Sequence, residues 1–219
     1  MARIAEDLLL LLLDNESAQP RLERGRLARM LGAALILDLA LGCRVRPALP
    51  GEPVPAGTLV ALHGPVPLDP AVRPALTELE QAPLTPQAAI AKVGKHAEDD
   101  VLDQLLRSGR IHQVQLSKHW LRRNTYAWPL HDRARVDAVR EAVLPALLGG
   151  RNPDAVTAVT IALLHRCGAL KSALRLDDAT YPQAAGRAAE IMFGARADDG
   201  RTDEVNLAVT AAAVLPALS

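Results

Sequence analysis

The chain has 219 residues, of which 25 are basic and 25 acidic, so its formal charge is zero and a bulk nucleic-acid binder is excluded. Hydrophobic residues make up 49%, enough for the core of one compact domain or two small ones. Aromatic residues reach only 2%, which argues against a surface that stacks several bases or sugars on rings.

The first element is residues 5–14, AEDLLLLLLD. The run Leu8 to Leu13 is far short of the about 20 apolar residues that a membrane-spanning helix needs. Only Arg3 precedes it, and Glu6, Asp7, Asp14 and Glu16 flank it, which fits no export signal. The pattern predicts a short helix with Glu6 or Asp7 at its positive end. Leucines on every side of a helix require it to be enclosed by other elements.

RLARMLGAALILDLALGCRV (26–45) predicts a long central helix, with Gly42 at a C-cap position suited to left-handed backbone. RPALPGEPVPAG (46–57) reads as turns, and TLVALHG (58–64) as a strand. Short helices are expected over 71–81 and 85–93, the second capped by Thr85 with Pro86 at its first position. HAEDDVLDQLLRSGRI (96–111) predicts a helix ending at Gly109, and 111–130 a β-hairpin. Four helical stretches follow, the second capped by Asn152 ahead of Pro153. No repeat of fixed period and no long linker interrupts the chain. The expected fold class is mainly α, a single helical domain over 1–219 with small β-hairpin elements.

Candidate catalytic features have plain structural readings. The six histidines lack the i, i+4 spacing of a helical metal site, and His112 and His119 have no completing ligand nearby. His165 and Cys167 share a helix end, where a partly buried histidine beside a reduced thiol is the simpler explanation. Neither Cys43 nor Cys167 belongs to a Cys-x-x-Cys pair, so both are expected to be reduced, buried thiols. The carboxylates of AEDD (97–100) and LDDA (176–179) open predicted helices, where acids suit the exposed N–H groups. No enzyme activity, cofactor or metal is expected.

Charge is distributed less evenly than its total suggests. Residues 107–135 hold Arg107, Arg110, Lys118, Arg122, Arg123, Arg133 and Arg135 against Asp132 alone. A second cluster, Arg21, Arg24, Arg26 and Arg29, opens the long helix. Such patches attract phosphate groups or anionic lipid, and Trp120 beside Arg122 and Arg123 suits a headgroup layer. The helix-then-hairpin order also resembles a winged helix, but Glu98, Asp99, Asp100 and Asp103 would repel a duplex, so no nucleic-acid partner is expected.

AEDLLLLLLD, GAALILDLALGCRV, VLDQLLRSGRI, REAVLPALLGG, AVTIALLHRCGALKSAL and AAGRAAEIM, in that order, resemble the Golgi phosphoprotein 3 (GPP34) family over residues 3–217. The resemblance implies a mainly helical, non-enzymatic peripheral membrane adaptor of the kind that recognises phosphatidylinositol 4-phosphate and binds client protein tails. It also implies a hairpin that promotes self-association, here 111–130. The family's headgroup residues, a tryptophan and three arginines, fall near Glu23, Gly32, Glu98 and Asp100 or Val101, so the usual pocket is absent. The absence of a long basic N-terminal tail and the Ala, Leu and Arg richness suggest a bacterial, actinobacterial type of member, cytoplasmic and peripheral on the inner face of the cell membrane. The expected lipid-binding residues are Arg26, Arg29, Lys118, Trp120, Arg122 and Arg123, with a membrane surface, a protein client or a second copy as partners. The alternative is a soluble oligomerising interaction module that binds no lipid.

Overall fold

The computed structural model describes residues 3–64, 69–117, 125–194 and 201–218. Among them are ten α-helices and two two-stranded antiparallel sheets, which bears out the mainly helical class with small hairpins. No helix among the described residues is long and apolar enough to cross a membrane.

Helix α1 (Arg3–Leu13) carries the leucine run, and all six leucines are no more than 2% exposed. Each buried leucine contributes about 2 kcal/mol relative to exposure, so this short helix is held by its surroundings rather than by its own propensity. Helix α2 (Arg24–Leu41) lies at the centre, buried from Met30 to Ala40, and packs against α1, α4 (Pro86–Val93), α5 (Ala97–Arg107) and α10 (Thr202–Val214). It starts two residues before the expected Arg26 because the Glu23 carboxylate accepts hydrogen bonds from the Gly25 and Arg26 amides, at 2.8 and 3.1 Å. At its other end Gly42 is the C-cap, but with φ −80°. The left-handed residue is Cys43, φ 53°.

Two glycines set how closely the centre packs. A Cβ on Gly32 would lie 2.9 Å from the Gly94 Cα, and one on Gly94 would lie 2.7 Å from the Ala28 carbonyl oxygen. The α2–α4 crossing is therefore a backbone-to-backbone contact at this point.

The strand expected at 58–64 is β2 (Leu59–Ala61), paired with β1 (Val45–Pro47) in the register Val45 to Ala61. Helix α3 (Arg73–Gln81) and α4 follow as expected, with Thr85 Oγ1 capping the Ala88 amide at 3.3 Å. After α5 the chain turns at Gly109, φ 66°, into β3 (Val114–Ser117) and β4 (Thr125–Ala127), closed at the base by an Ile111–Leu130 bridge. Helices α6 (Ala134–Leu148), α7 (Ala155–Arg166), α8 (Leu170–Leu174) and α9 (Tyr181–Gly194) complete the fold ahead of α10. The cap of α7 is Asp154, whose Oδ1 accepts from the Thr157 amide at 2.7 Å, in place of the expected Asn152.

Helix α1 has a cap supplied from 34 residues away. Asp38 of α2 is buried, and its Oδ1 and Oδ2 accept hydrogen bonds from the Ile4 and Ala5 amides at 2.9 and 3.0 Å. These are among the amides that a helix start leaves without partners. Burial pushes the Asp38 carboxyl up to about 7, against the opposing pull of the two amides. The unfolded chain releases this proton near 3.8, so between these values the folded state holds the extra proton. Stability from this group is therefore full at acid pH and lost as pH rises through the folded value. Burial also raises Glu6 and Asp7, which adds in the same direction. Thermal unfolding followed from about pH 5 to about pH 7.5 is expected to show a falling midpoint, with a shallower fall in Asp38→Asn. An equal slope in the variant would refute the assignment.

Candidate anion-binding site

Arg26 and Arg29 occupy the first two turns of α2 and are exposed. Their side chains reach the C-terminal end of α7. A Cβ on Gly168 would lie 3.4 Å from Arg26 Nη1, and both arginines act electrostatically on Cys167. That placement sets positive charge at the negative end of a helix. Burial nevertheless dominates at Cys167 and pushes its thiol up to about 11, so it is not a thiolate nucleophile at neutral pH. His165 is pulled below its usual value by burial and by Arg166, both of which disfavour the charged imidazole. The neighbouring pair is structural. Cys43, expected to be buried, is only partly so.

The positions that the resemblance assigns to a headgroup are committed elsewhere. Glu23 caps α2, and exposed backbone hydrogen bonds hold its carboxyl below the ordinary range. Gly32 has no room for a Cβ, so no arginine fits there. Glu98 is raised by burial and by Asp99, with Arg24 as an opposing charge.

The acids of α1 are gathered by α6. Arg135 Nη1 bonds the Glu6 carboxylate, and Arg135 Nε donates to Asp7 Oδ1 at 2.6 Å. At the end of α1 the Asp14 side chain is wholly buried. It meets Arg140 Nη1 at 2.6 Å, Arg133 Nη2 at 2.7 Å and Arg175 Nη2 at 3.1 Å. The Arg133 contact is an ion pair without hydrogen-bond alignment, since Asp14 Oδ1 has no hydrogen-bond partner. These pairs correct the sequence reading of one open basic stretch over 107–135. Arg135 is bound to acids of α1 and Arg133 to Asp14 just after it, because folding brings together residues more than 110 apart in sequence.

Lys118, Trp120, Arg122 and Arg123 lie outside the described residues. The base of their hairpin is fastened to the loop between α1 and α2. The Trp128 amide donates to the Ala18 carbonyl at 2.7 Å, and Gln19 Nε2 donates to the Tyr126 carbonyl at 3.1 Å. The hairpin thus joins the same loop that leads into Arg24, Arg26 and Arg29. Val114 and Leu116 of β3 are 40% and 54% exposed, and the pairing with β4 is irregular between Gln115 and Ser117. Sequence reasoning missed Arg175, whose role depends on Asp14, a partner 161 residues away just after α1.

A helical domain with an arginine-bearing edge, and with no metal-holding group of His, Cys, Asp or Glu among the described residues, is the class of protein that these features define. The chain belongs to the Golgi phosphoprotein 3 (GPP34) family, whose sequence model matches residues 4–212. No curated protein matches the chain.

Proposed function

We propose that the protein is a non-enzymatic peripheral adaptor that binds anionic phospholipid headgroups on the cytoplasmic face of a bacterial membrane. The observation that carries this reading is the exposed run Arg24, Arg26 and Arg29 at the start of α2, tied through the α1–α2 loop to strand β4 and its following residues by Gln19–Tyr126 and Trp128–Ala18 hydrogen bonds. Family membership supports it. The loss of the usual headgroup positions favours attraction to general negative charge over specific recognition of phosphatidylinositol 4-phosphate.

Vesicle co-sedimentation tests the proposal, with phosphatidylcholine compared with phosphatidylcholine containing phosphatidylglycerol. Binding to the anionic vesicles is expected, weakening as salt rises. Each basic residue near such a surface contributes about 1 kcal/mol, so Arg26→Gln with Arg29→Gln is expected to weaken binding about 30-fold. Arg122→Ala with Arg123→Ala measures the hairpin's share. Absence of binding at low salt would sink the membrane reading.

The exposed Val114 and Leu116 favour a second reading, a soluble module that self-associates through the 111–130 hairpin or takes a protein client there. Sedimentation of wild type against Leu116→Glu separates it from the first, because a charge on that strand would dissociate an oligomer.

A further inference from the structure

At the loop between α1 and α2 the structure holds a pocket of about 330 Å³, lined by Asn15, Glu16, Arg21, Arg133 and Arg175. It uses none of the family's headgroup positions. Its three arginines come from three separate parts of the chain: the α1–α2 loop, the residue before α6 and the end of α8.

Their charge is in excess of what the local acids require. Asp14 is a single carboxylate, yet Arg133, Arg140 and Arg175 all reach it. Arg140 is the well-buried partner, whereas the side chains of Arg133 and Arg175 are 59% and 50% exposed and keep unused donors facing outward. Arg21 is exposed and has no ion-pair or hydrogen-bond partner among the described residues. Opposing charge comes from exposed Glu16 on the rim and from exposed Asp137, 3.9 Å from Arg140.

Two features make the pocket preorganised. Asn15 pins the loop, its Nδ2 donating to the Leu12 and Gln19 carbonyls at 2.6 and 2.8 Å and its Oδ1 accepting from the Ser17 amide at 3.0 Å. Arg175 adopts left-handed backbone, φ 56° and ψ 40°, at the C-cap of α8, a place where glycine is the usual residue. Its Nη2 donates to the Asp14 carbonyl at 2.5 Å, which fixes the guanidinium at the pocket wall.

We propose that this pocket binds a phosphate group, with Arg21, Arg133 and Arg175 donating to its oxygens. Guanidinium forks suit phosphate oxygens, and a phosphomonoester offers three acceptors in different directions where a carboxylate offers two in one plane. The group is carried either by a lipid headgroup or by a soluble phosphate ester. This site goes beyond the membrane reading and stands without it.

The test is calorimetric titration of inorganic phosphate into the full chain at constant ionic strength. One saturable site is expected. Arg21→Gln, which removes no internal contact, is expected to weaken it about tenfold, the loss of one charge-assisted hydrogen bond. Glu16→Gln is expected to tighten it, because the rim carboxylate repels the ligand. Arg26→Gln is expected to leave it unchanged, which keeps this site separable from the membrane-binding arginines. No saturable binding, or an affinity indifferent to both Arg21→Gln and Glu16→Gln, would overturn the proposal. Two further arms identify the carrier once phosphate binds. A preference for phosphatidic acid over phosphatidylglycerol vesicles, lost in Arg21→Gln, assigns a lipid headgroup. Binding of glycerol 3-phosphate without that preference assigns a soluble ester.

Discussion

Replacing Arg135 with leucine is expected to destabilise the protein by about 4 kcal/mol at neutral pH, because it leaves two buried carboxylates without their cation. Glu6 and Asp7 are 5% and 7% exposed, and Arg135 reaches both. For a domain of this size the loss lowers the thermal midpoint by about 12 °C. Acid is expected to return part of it. Burial already raises both carboxyls above their ordinary values, and the arginine is the main opposing influence. Without it they rise further, so the folded variant takes up protons readily as pH falls, and the penalty for burying charge shrinks. Denaturant unfolding of wild type and variant at neutral and acid pH measures the difference. A gap that stays constant or widens on acidification would show that the loss comes from packing instead. Adding Glu6→Gln and Asp7→Asn to Arg135→Leu removes the charges and is expected to recover most of the stability.

The second large effect lies at the α2–α4 crossing. Gly32→Ala is expected to cost about 3 kcal/mol, since the new methyl meets the Gly94 Cα, the Gly94 nitrogen and the Ile90 carbonyl oxygen, all at 2.9 Å. These are backbone atoms in a filled core, so relief requires the helices to separate. Gly94→Ala is expected to act similarly through the Ala28 carbonyl, and the double change to cost less than the sum because one separation serves both. Gly32→Arg, which would put an arginine in this backbone contact, is expected to prevent folding. Gly42→Ala is the control. Its φ is −80° and its nearest contacts are at 3.6 Å, so it is expected to be neutral or stabilising by about 0.5 kcal/mol. Urea midpoints for Gly32→Ala, Gly94→Ala and Gly42→Ala decide the matter. A stable Gly32→Ala would mean that the crossing adjusts freely.

Much of this architecture is legible in the sequence because its signals are local. Six leucines announce an enclosed helix, and Thr85-Pro86 announces a helix start. The departures have physical reasons. Strand β1 contains Pro47 among turn-forming residues and is fixed by pairing with Leu59 rather than by its own pattern. Helix α8 has only five residues, too few for periodicity to register. Asn152 and Asp154 are both good caps, and the choice between them depends on where α7 packs. The candidate site is least legible. Arg133 and Arg135 look like free surface charge until α1 is laid beside α6, and nothing near Arg175 in sequence points to Asp14.

The acids at the two ends of α1 also order the steps of folding during synthesis. The Asp38 cap joins residues 33 and 34 positions apart, so α1 and α2 can pair as soon as the second helix is made. The arginine partners of Glu6, Asp7 and Asp14 lie 119 to 161 positions downstream. Until they emerge, the leucine helix has an apolar docking site but three carboxylates that still need water. A nascent chain stalled before α6 therefore keeps α1 partly hydrated, and final burial of the leucines waits on translation of Arg135 and Arg140.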